Sequence, residues 1–228
     1  MLAAKTGFIL IDKPLGPSSH TVVNRLRGIS GFKKIGHAGT LDPLASGLLL
    51  LAIGREYTKK LGGLIKLDKE YWAEIYLGAT SDTYDREGKV SQTYIGKRLS
   101  RSLVKKTLKN WEGEVKQKPP IFSAKKINGR KLYQLARQGK KIEIEPRLIK
   151  IYKIKILKYR WPILKIRINC ASGTYIRSLA HDLGADLGCG AYLYNLRRTK
   201  IGQATIKKAI KLDKLTVEKL SKRLKTAL

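Results

Sequence analysis

Strand-like patterns recur along this chain without a regular alternation with helices, and this limits the fold classes open to it. A short apolar run predicts a buried strand at residues 7–12, and alternation of inward and outward side chains predicts another at 71–77. Two more strands are predicted at 149–159 and 163–170, joined by a turn at Trp161-Pro162. We therefore expect an α+β protein with a mainly antiparallel sheet.

Helices are predicted between these strands by their capping residues and apolar spacing. Ser19 is predicted to cap one helix. Ser172 or Thr174 is predicted to cap another, which ends at Gly184. A polar loop at residues 78–88 carries Asp82, Asp85 and Glu87 and is the main acidic segment. Residues 116–147 are basic, are broken by Pro and Gly, and are interpreted as an excursion from the core.

The charge balance indicates a polyanionic partner. The chain has 48 Lys and Arg residues against 17 Asp and Glu residues, a net charge of +31. Its 43% hydrophobic content is that of a globular protein rather than a disordered basic tail. Such an excess of like charge repels itself in a compact chain, and nucleic acid is the commonest polyanion that relieves it. The alternative is a lysine-rich surface that is merely solvated.

Several function classes are disfavoured by what the sequence lacks. Cys170 and Cys189 form neither a disulfide framework nor a metal-binding pattern, and the three histidines lack zinc-ligand spacing. There is no signal-peptide pattern, no apolar run long enough for a membrane span and no nucleotide-binding glycine loop. We expect a cytoplasmic monomer with no metal, no small-molecule cofactor and no membrane partner.

Residues 36–48 form a glycine-rich loop that places an aspartate before an apolar segment. Pro43 restricts the backbone next to Asp42, so the carboxylate points in a defined direction. A turn aspartate bonded to local backbone fits this pattern. A covalent nucleophile or a general base fits it as well, and either would gain from a fixed cation that keeps the carboxylate ionised. The residue types alone leave these alternatives open.

Five segments, in order, resemble the bacterial tRNA pseudouridine-55 synthases, over roughly residues 7–202. The first is Asp12-Lys13-Pro14-Leu15-Gly16-Pro17-Ser18-Ser19, in which Ser18 stands where the family more often has Thr. The second, Gly36-His37-Ala38-Gly39-Thr40-Leu41-Asp42-Pro43-Leu44-Ala45-Ser46-Gly47, is similar to the catalytic motif of the family. The others are Lys69-Glu70-Tyr71, the stretch from Pro119 to Tyr133, and Gly173-Thr174-Tyr175-Ile176-Arg177-Ser178-Leu179 followed by Leu196-Arg197-Arg198-Thr199.

The resemblance implies roles for individual residues. Asp42 matches the catalytic aspartate, Arg177 the arginine that pairs with it, and Tyr71 the tyrosine that stacks on the target base and assists proton removal from C5. Tyr175 and Leu196 match residues that line the uracil pocket. His37 matches the histidine that fills the space of the flipped base, and Lys13-Pro14 belong to a supporting motif.

The resemblance also implies a fold, an activity and a domain plan. The fold is that of pseudouridine synthases, a mixed, mainly antiparallel sheet flanked by helices, with an RNA-clamping insertion (thumb) at about 116–147. The activity is isomerisation of a flipped-out uridine in the T-arm stem-loop of tRNA, which needs no cofactor. We expect residues 1–228 to form one catalytic domain without the C-terminal PUA-type domain of many relatives. We further expect the high positive charge to replace part of the binding surface of that domain.

Three other interpretations stay open. A non-catalytic RNA-binding protein would suit the charge, but it has no need of the set Asp42, Tyr71 and Arg177. A guide-RNA-dependent relative that modifies ribosomal RNA would lack the insertion at 116–147. The enzyme could also act as a tRNA-folding chaperone.

Overall fold

The fold is described from a computed structural model, which covers residues 6–122, 126–127, 130–131 and 144–227, the four residues within 126–131 by their backbone only. The chain forms two compact units. Unit 1 contains Met1–Trp72 and Leu196–Leu228, and unit 2 contains Ala73–Asn195.

Strands and helices occur in both units, as an α+β protein requires. The strands are β1 (Gly7–Lys13), β2 (Ile35–His37), β3 (Ala45–Ile53), β4 (Lys69–Leu77), β5 (Ala79–Ser81), β6 (Val90–Gln92), β7 (Gly113–Gln117), β8 (Lys126–Ile127), β9 (Arg130–Lys131), β10 (Arg147–Arg160), β11 (Ile163–Cys170), β12 (Ala191–Ile201), β13 (Ala204–Thr205) and β14 (Ile210–Lys211). The α-helices are α1 (Ser19–Ser30), α2 (Arg55–Lys59), α3 (Leu61–Ile65), α4 (Arg101–Lys109), α5 (Ile176–Asp186) and α6 (Val217–Arg223). Two short 3₁₀ helices lie at Ile206–Lys208 and Leu212–Lys214.

Unit 1 is built on a mixed sheet whose central strand, β3, is apolar except for Ser46. Its strand order is β14-β1-β3-β12, with β2 also paired to β3 and β13 to β12. β1 and β2 run antiparallel to β3, whereas β12 runs parallel to it. Eight of the nine residues of β3 are buried, because its two faces pack into two hydrophobic clusters. Burial on both faces explains why its apolar residues do not alternate.

The N-cap of helix α1 lies one residue earlier than predicted, so the prediction for Ser19 is wrong. Ser18 is the N-cap, and its hydroxyl accepts from the backbone N–H of Thr21 at 3.0 Å. Ser19 lies in the first turn and is buried, since its side chain binds a distant segment. Two adjacent serines look alike as caps, and only that distant partner distinguishes them.

Unit 2 contains the antiparallel strands predicted from sequence alternation. The predicted hairpin is confirmed: β10 and β11 pair antiparallel on either side of Trp161-Pro162. β7 pairs antiparallel with the first part of β10, with Gln117 opposite Arg147. The strands β7 and β10 therefore meet at the point where β7 ends and β10 begins. Most of the predicted insertion, including Ala124, Asn128 and Gly129, lies outside the described residues.

Helix α5 also differs from its prediction at both ends. Its N-cap is Tyr175, and neither Ser172 nor Thr174 caps it; Thr174 instead donates to the carbonyl of Ala171 at 2.9 Å. Gly184 lies inside the helix rather than at its end. A Cβ at this position would come within 2.1 Å of the backbone nitrogen of Ala191. Close approach of two backbones, not a helix stop, requires this glycine.

Two further features do not occur in the described ranges. None of the helices in the described part of the chain is long and apolar enough to cross a membrane. No group of three or more potential metal ligands occurs among the side chains that the structure describes.

Candidate active site

Asp42 lies in unit 1, in the loop between β2 and β3, and the backbone on both sides of it is held in place. On one side, the hydroxyl of Ser19 donates to the carbonyl of Leu41 at 2.9 Å and accepts from its N–H at 2.8 Å. On the other, the N–H of Gly16 donates to the carbonyl of Pro43 at 2.9 Å. Asp42 itself is half-buried, so the residue stays partly open to solvent while the backbone on both sides of it is held.

The predicted supporting residue Lys13 shapes the turn that supplies Gly16. Its side chain is fully buried, and its ammonium donates to the carbonyls of Pro14 at 2.9 Å and Pro17 at 2.7 Å. These bonds close the turn from Pro14, which is exposed, to Pro17. A buried ammonium must have such acceptors, because leaving it unpaired would cost several kcal/mol, on the order of 5. Lys13 thus acts on the Asp42 loop through the backbone.

Arg198, which sequence analysis assigned no role, ties together the two ends of the Asp42 loop. It is 1% exposed, and its Nε donates to the carbonyl of Leu48 at 2.8 Å while its Nη2 donates to the carbonyl of Gly39 at 3.0 Å. Gly47 lies opposite Arg198 in the pairing of β3 with β12. A Cβ at Gly47 would lie 2.3 Å from the Arg198 carbonyl oxygen, and its φ is +107°, so only glycine fits there.

Leu196 and His37 flank the same loop. Leu196 is buried and lies opposite Ala45, three residues after Asp42. His37 ends β2 and is half-buried, and its buried Nδ1 has no hydrogen-bond partner among the described residues. Burial, and then the positive charge of Arg198, lower the pKa of His37 below its usual 6.5. The imidazole is therefore neutral at pH 7, and a neutral ring can lie against a base without the cost of a buried charge.

Tyr71 is on β4 in unit 1, beside a buried glutamate. Tyr71 is 9% exposed, and Glu70 is 7% exposed. Glu70 accepts from the hydroxyl of Thr199 at 2.7 Å and lies 3.7 Å from the ammonium of Lys200. These contacts fix the first residues of β4 against β12, and with them the backbone that carries Tyr71.

In unit 2, the predicted catalytic Arg177 forms a buried ion pair with Asp85. Its Nη1 lies 3.2 Å from the Oδ2 of Asp85 and donates to the carbonyl of Thr83 at 3.3 Å, while Nη2 donates to the carbonyl of Phe122 at 2.9 Å. Asp85 is 3% exposed, so one member of the predicted acidic loop is part of the core. Pairing of Arg177 with Asp42, which belongs to unit 1, stays a prediction.

Tyr175 is positioned by a glutamine that sequence analysis placed in the insertion. The amide of Gln117 accepts from the N–H of Tyr175 at 2.8 Å and donates to its carbonyl at 3.0 Å. Gln117 is 2% exposed. The hydroxyl of Ser178 donates to the carbonyl of Lys118 at 2.7 Å. The end of β7 therefore fixes the start of α5, which carries Arg177.

The predicted site residues thus divide between the units, and each group has its own supporting residues. Asp42, His37, Tyr71, Leu196, Lys13 and Pro14 belong to unit 1, and Tyr175 and Arg177 to unit 2. Sequence analysis missed Ser19, Arg198, Asp85 and Gln117 as supporting residues. Their roles depend on partners far away in the chain, up to 159 residues for Arg198 with Gly39.

Two models of known protein families together match residues 27–227 of the chain. The model of the TruB family pseudouridylate synthase N-terminal domain matches residues 27–176. The model of the tRNA pseudouridylate synthase B C-terminal domain matches residues 177–227. The chain is also 50% identical over 197 residues to tRNA pseudouridine synthase B of Protochlamydia amoebophila. The aligned residues make up 86% of this chain and 74% of that protein. The protein of the same name from Flavobacterium johnsoniae is 46% identical over 209 residues, or 89% of this chain and 91% of that one.

Solved structures agree on the fold. A chain in the crystal structure of a Cbf5-Nop10-Gar1 complex is 31% identical and superposes with a TM-score of 0.72 over 94% of this chain. This chain spans 54% of that one, so the likeness covers about half of it. Family models match residues 27–227, and a relative is 50% identical over 86% of this chain. The chain therefore belongs to the TruB family of pseudouridylate synthases.

Proposed function

We propose that this chain isomerises uridine 55 in the T loop of tRNA to pseudouridine. The observation that carries the proposal is the Asp42 loop: a half-buried aspartate whose neighbours Leu41 and Pro43 are both held by hydrogen bonds to their backbone groups. It lies within the region that matches the family model. A structural turn aspartate has no need of such support on both sides, whereas a reacting carboxylate must be held within a fraction of an ångström.

The reaction exchanges one glycosidic bond for another. The bond between ribose C1′ and uracil N1 breaks, the base rotates, and a bond between C1′ and C5 forms. The proton lost from C5 is balanced by the proton gained at N1, so no redox partner is required. Asp42 acts either as the nucleophile at C1′ or as the base that removes a proton from C2′, and both routes need an ionised carboxylate.

The other site residues hold the flipped base and the catalytic carboxylate. Tyr71 stacks on the base and assists proton removal from C5, and Tyr175 and Leu196 line the pocket. Neutral His37 fills the space that the base leaves. Arg177 pairs with Asp42 and keeps it ionised, in addition to its pair with Asp85. Flipping the uridine costs a few kcal/mol, about 2–4, which contacts of lysine and arginine with the RNA backbone offset.

The proposed substrate is the T-arm stem-loop, bound by a cytoplasmic monomer that uses no metal or small-molecule cofactor. Residues 1–228 act as one catalytic domain in this proposal, and the segment at about 116–147 clamps the RNA. The similarity supports tRNA as the substrate, because the relative that is 50% identical is named tRNA pseudouridine synthase B.

Turnover of an unmodified T-arm stem-loop tests the proposal. The wild type is expected to form pseudouridine at the T-loop site, and Asp42→Asn, which is nearly isosteric but cannot ionise, is expected to lower the rate by at least about 1,000-fold. Asp213→Asn, at an exposed aspartate of unit 1, is the control and should keep full activity.

Two results would contradict the proposal. Turnover that survives in Asp42→Asn would remove Asp42 from the chemistry. Wild-type protein that binds the stem-loop without turning it over would instead indicate a non-catalytic RNA-binding protein.

A further inference from the structure

A pocket of about 410 Å³ lies in unit 1 beside β2, and its lining is strongly basic. The eight residues around it are Arg27, Lys33, Lys34, Ile35, Gly36, Arg55, Thr58 and Lys59. Five of these eight are cations and none is acidic. We call this pocket the basic basin. Like charges that converge in one concavity raise the local potential and attract an anion more strongly than the same charges spread over a convex surface.

The basin has a fixed framework and is more than a set of lysine side chains. Arg27 donates from Nε to the carbonyl of Lys33 at 3.2 Å and from Nη1 to the Oδ1 of Asn24 at 3.0 Å. The carbonyl of Lys34 accepts from the N–H of Gly54 at 2.8 Å. The loop between α1 and β2 is therefore anchored to the start of α2, and the cations on both converge.

Gly36 lets the basin floor lie close to helix α3. A Cβ at Gly36 would come within 2.7 Å of a terminal methyl group of Leu61, so a larger residue would require that side chain to shift. Ile35, the other floor residue, is buried and paired with Ile53 of β3. The floor of the basin is thus part of the sheet.

Nearby acids do not neutralise the basin. Glu56 of α2 lies beside Lys59 in the chain, but it pairs with Lys60 at 3.6 Å and does not line the basin. All five basin cations have exposed side chains. Phosphate is the anion that suits them, since two of the five are arginines, whose planar guanidinium matches phosphate oxygens.

The position of the basin relates it to the Asp42 loop. Gly36 is a floor residue and is followed directly by His37, which the proposed function places in the space of the flipped base. β2 therefore joins the basin to the segment that carries Asp42. We propose that the basic basin binds backbone phosphates of the RNA strand that contains the target uridine. This inference rests on the proposed function for the identity of the RNA.

The test separates a specific phosphate site from diffuse attraction to a highly charged protein. Lys33→Gln, Lys34→Gln and Lys59→Gln are combined in one variant, which removes three basin charges. Lys211→Gln, Lys214→Gln and Lys219→Gln are combined in a control, which removes three exposed charges of the same unit outside the basin. Binding of an unmodified T-arm stem-loop is measured by fluorescence anisotropy between about 50 and 200 mM KCl, a range over which phosphate contacts weaken steeply.

For the basin variant, the slope of log K against log salt is expected to become shallower by about 2–3, since each lost phosphate contact removes about 0.7–0.9. Its KM for the stem-loop rises at least about tenfold, while kcat at saturating RNA stays within about twofold. The control variant should change the slope by less than about 1.

The proposal would be overturned if the slope of log K against log salt changed equally in both variants, or if it did not change in the basin variant. Thermal melting checks that each variant folds. If the triple variant does not fold, Lys33→Gln with Lys34→Gln alone should still reduce the slope by about 1.4–1.8. Anisotropy measures binding without turnover, so the binding result can be interpreted even if the protein is not catalytic. Failure of the proposed catalytic function would appear separately, in the pseudouridine assay.

Discussion

At the scale of single residues, Arg198 has the largest role that sequence analysis did not assign. It is buried in β12, and its guanidinium binds carbonyls at Gly39 and Leu48, which bracket the segment that contains Asp42. Arginine donates to them from two separate nitrogens, Nε and Nη2, whereas lysine would have to reach both carbonyls from a single nitrogen. The fixed fork of arginine therefore sets the width of the loop.

We expect Arg198→Lys to lower kcat for pseudouridine formation at least about tenfold while KM stays within about threefold, because a misplaced Asp42 costs rate rather than RNA affinity. Single-turnover assays and stem-loop binding measure the two effects separately. Arg223→Lys, at an exposed position of α6, is the matched control. An Arg198→Lys enzyme with normal kcat and raised KM would indicate an RNA contact instead.

Residue roles could be predicted from the sequence only where a local pattern carries them. Asp42 stood out because glycine and proline surround it, although the resemblance to a family was needed to choose among its possible roles. Ser19, Asp85 and Gln117 carry no local signal, since their partners Leu41, Arg177 and Tyr175 lie 22, 92 and 58 residues away in the chain.

At the scale of elements, helix α5 combines a well-supported start with an unfavourable end. Gln117 holds the backbone of Tyr175 at its N-terminus. Its last turns carry Asp182 and Asp186, four residues apart, where negative charges repel each other and oppose the helix dipole. Burial, and then the charge of Asp186, raise the pKa of Asp182 to about 6.

A raised carboxyl pKa lowers the free energy of unfolding as pH rises. Between the unfolded value of 3.8 and the folded value of about 6, the folded state binds more protons, so stability is lost across that window and stays lost above it. Asp182→Asn removes this cost. Since Asp182 is partly exposed, we expect a gain of about 1 kcal/mol at pH 7.5, with a smaller gain at pH 5.

Urea unfolding at the two pH values measures this gain. Asp213→Asn, at an exposed aspartate, should leave stability unchanged at both. A gain in Asp182→Asn that does not depend on pH would show that its cause is not the titration of this carboxyl.

Element types were easier to predict than element ends. The β10–β11 hairpin followed from alternation and a proline turn, because both are local signals. The start of α5 was predicted at Ser172 or Thr174, since its true support comes from β7. β3, buried on both faces, offers no alternation from which a strand could be predicted.

At the scale of the whole molecule, repulsion within a net charge of +31 lowers the free energy of unfolding in the absence of RNA. We expect added NaCl, up to about 0.2 M, to raise the Tm by about 2–4 °C, equivalent to about 1 kcal/mol, because salt screens the repulsion. Differential scanning fluorimetry measures this. The control variant with Lys211, Lys214 and Lys219 changed to Gln should show a weaker salt dependence, and a Tm that falls with NaCl would contradict the expectation.

The pairing of Gln117 with Arg147 has a consequence for how the molecule can be altered. The chain departs from the sheet and returns to it at adjacent positions, so the register of β7 with β10 does not depend on the length of what lies between. The segment between Gln117 and Arg147 can therefore be replaced without changing this register. A segment of different length could be spliced in there, provided that Lys118 and Phe122 are kept to accept from Ser178 and Arg177. In the proposed function this segment clamps the RNA, so its replacement is expected to change the RNA preference and to leave the Asp42 loop intact.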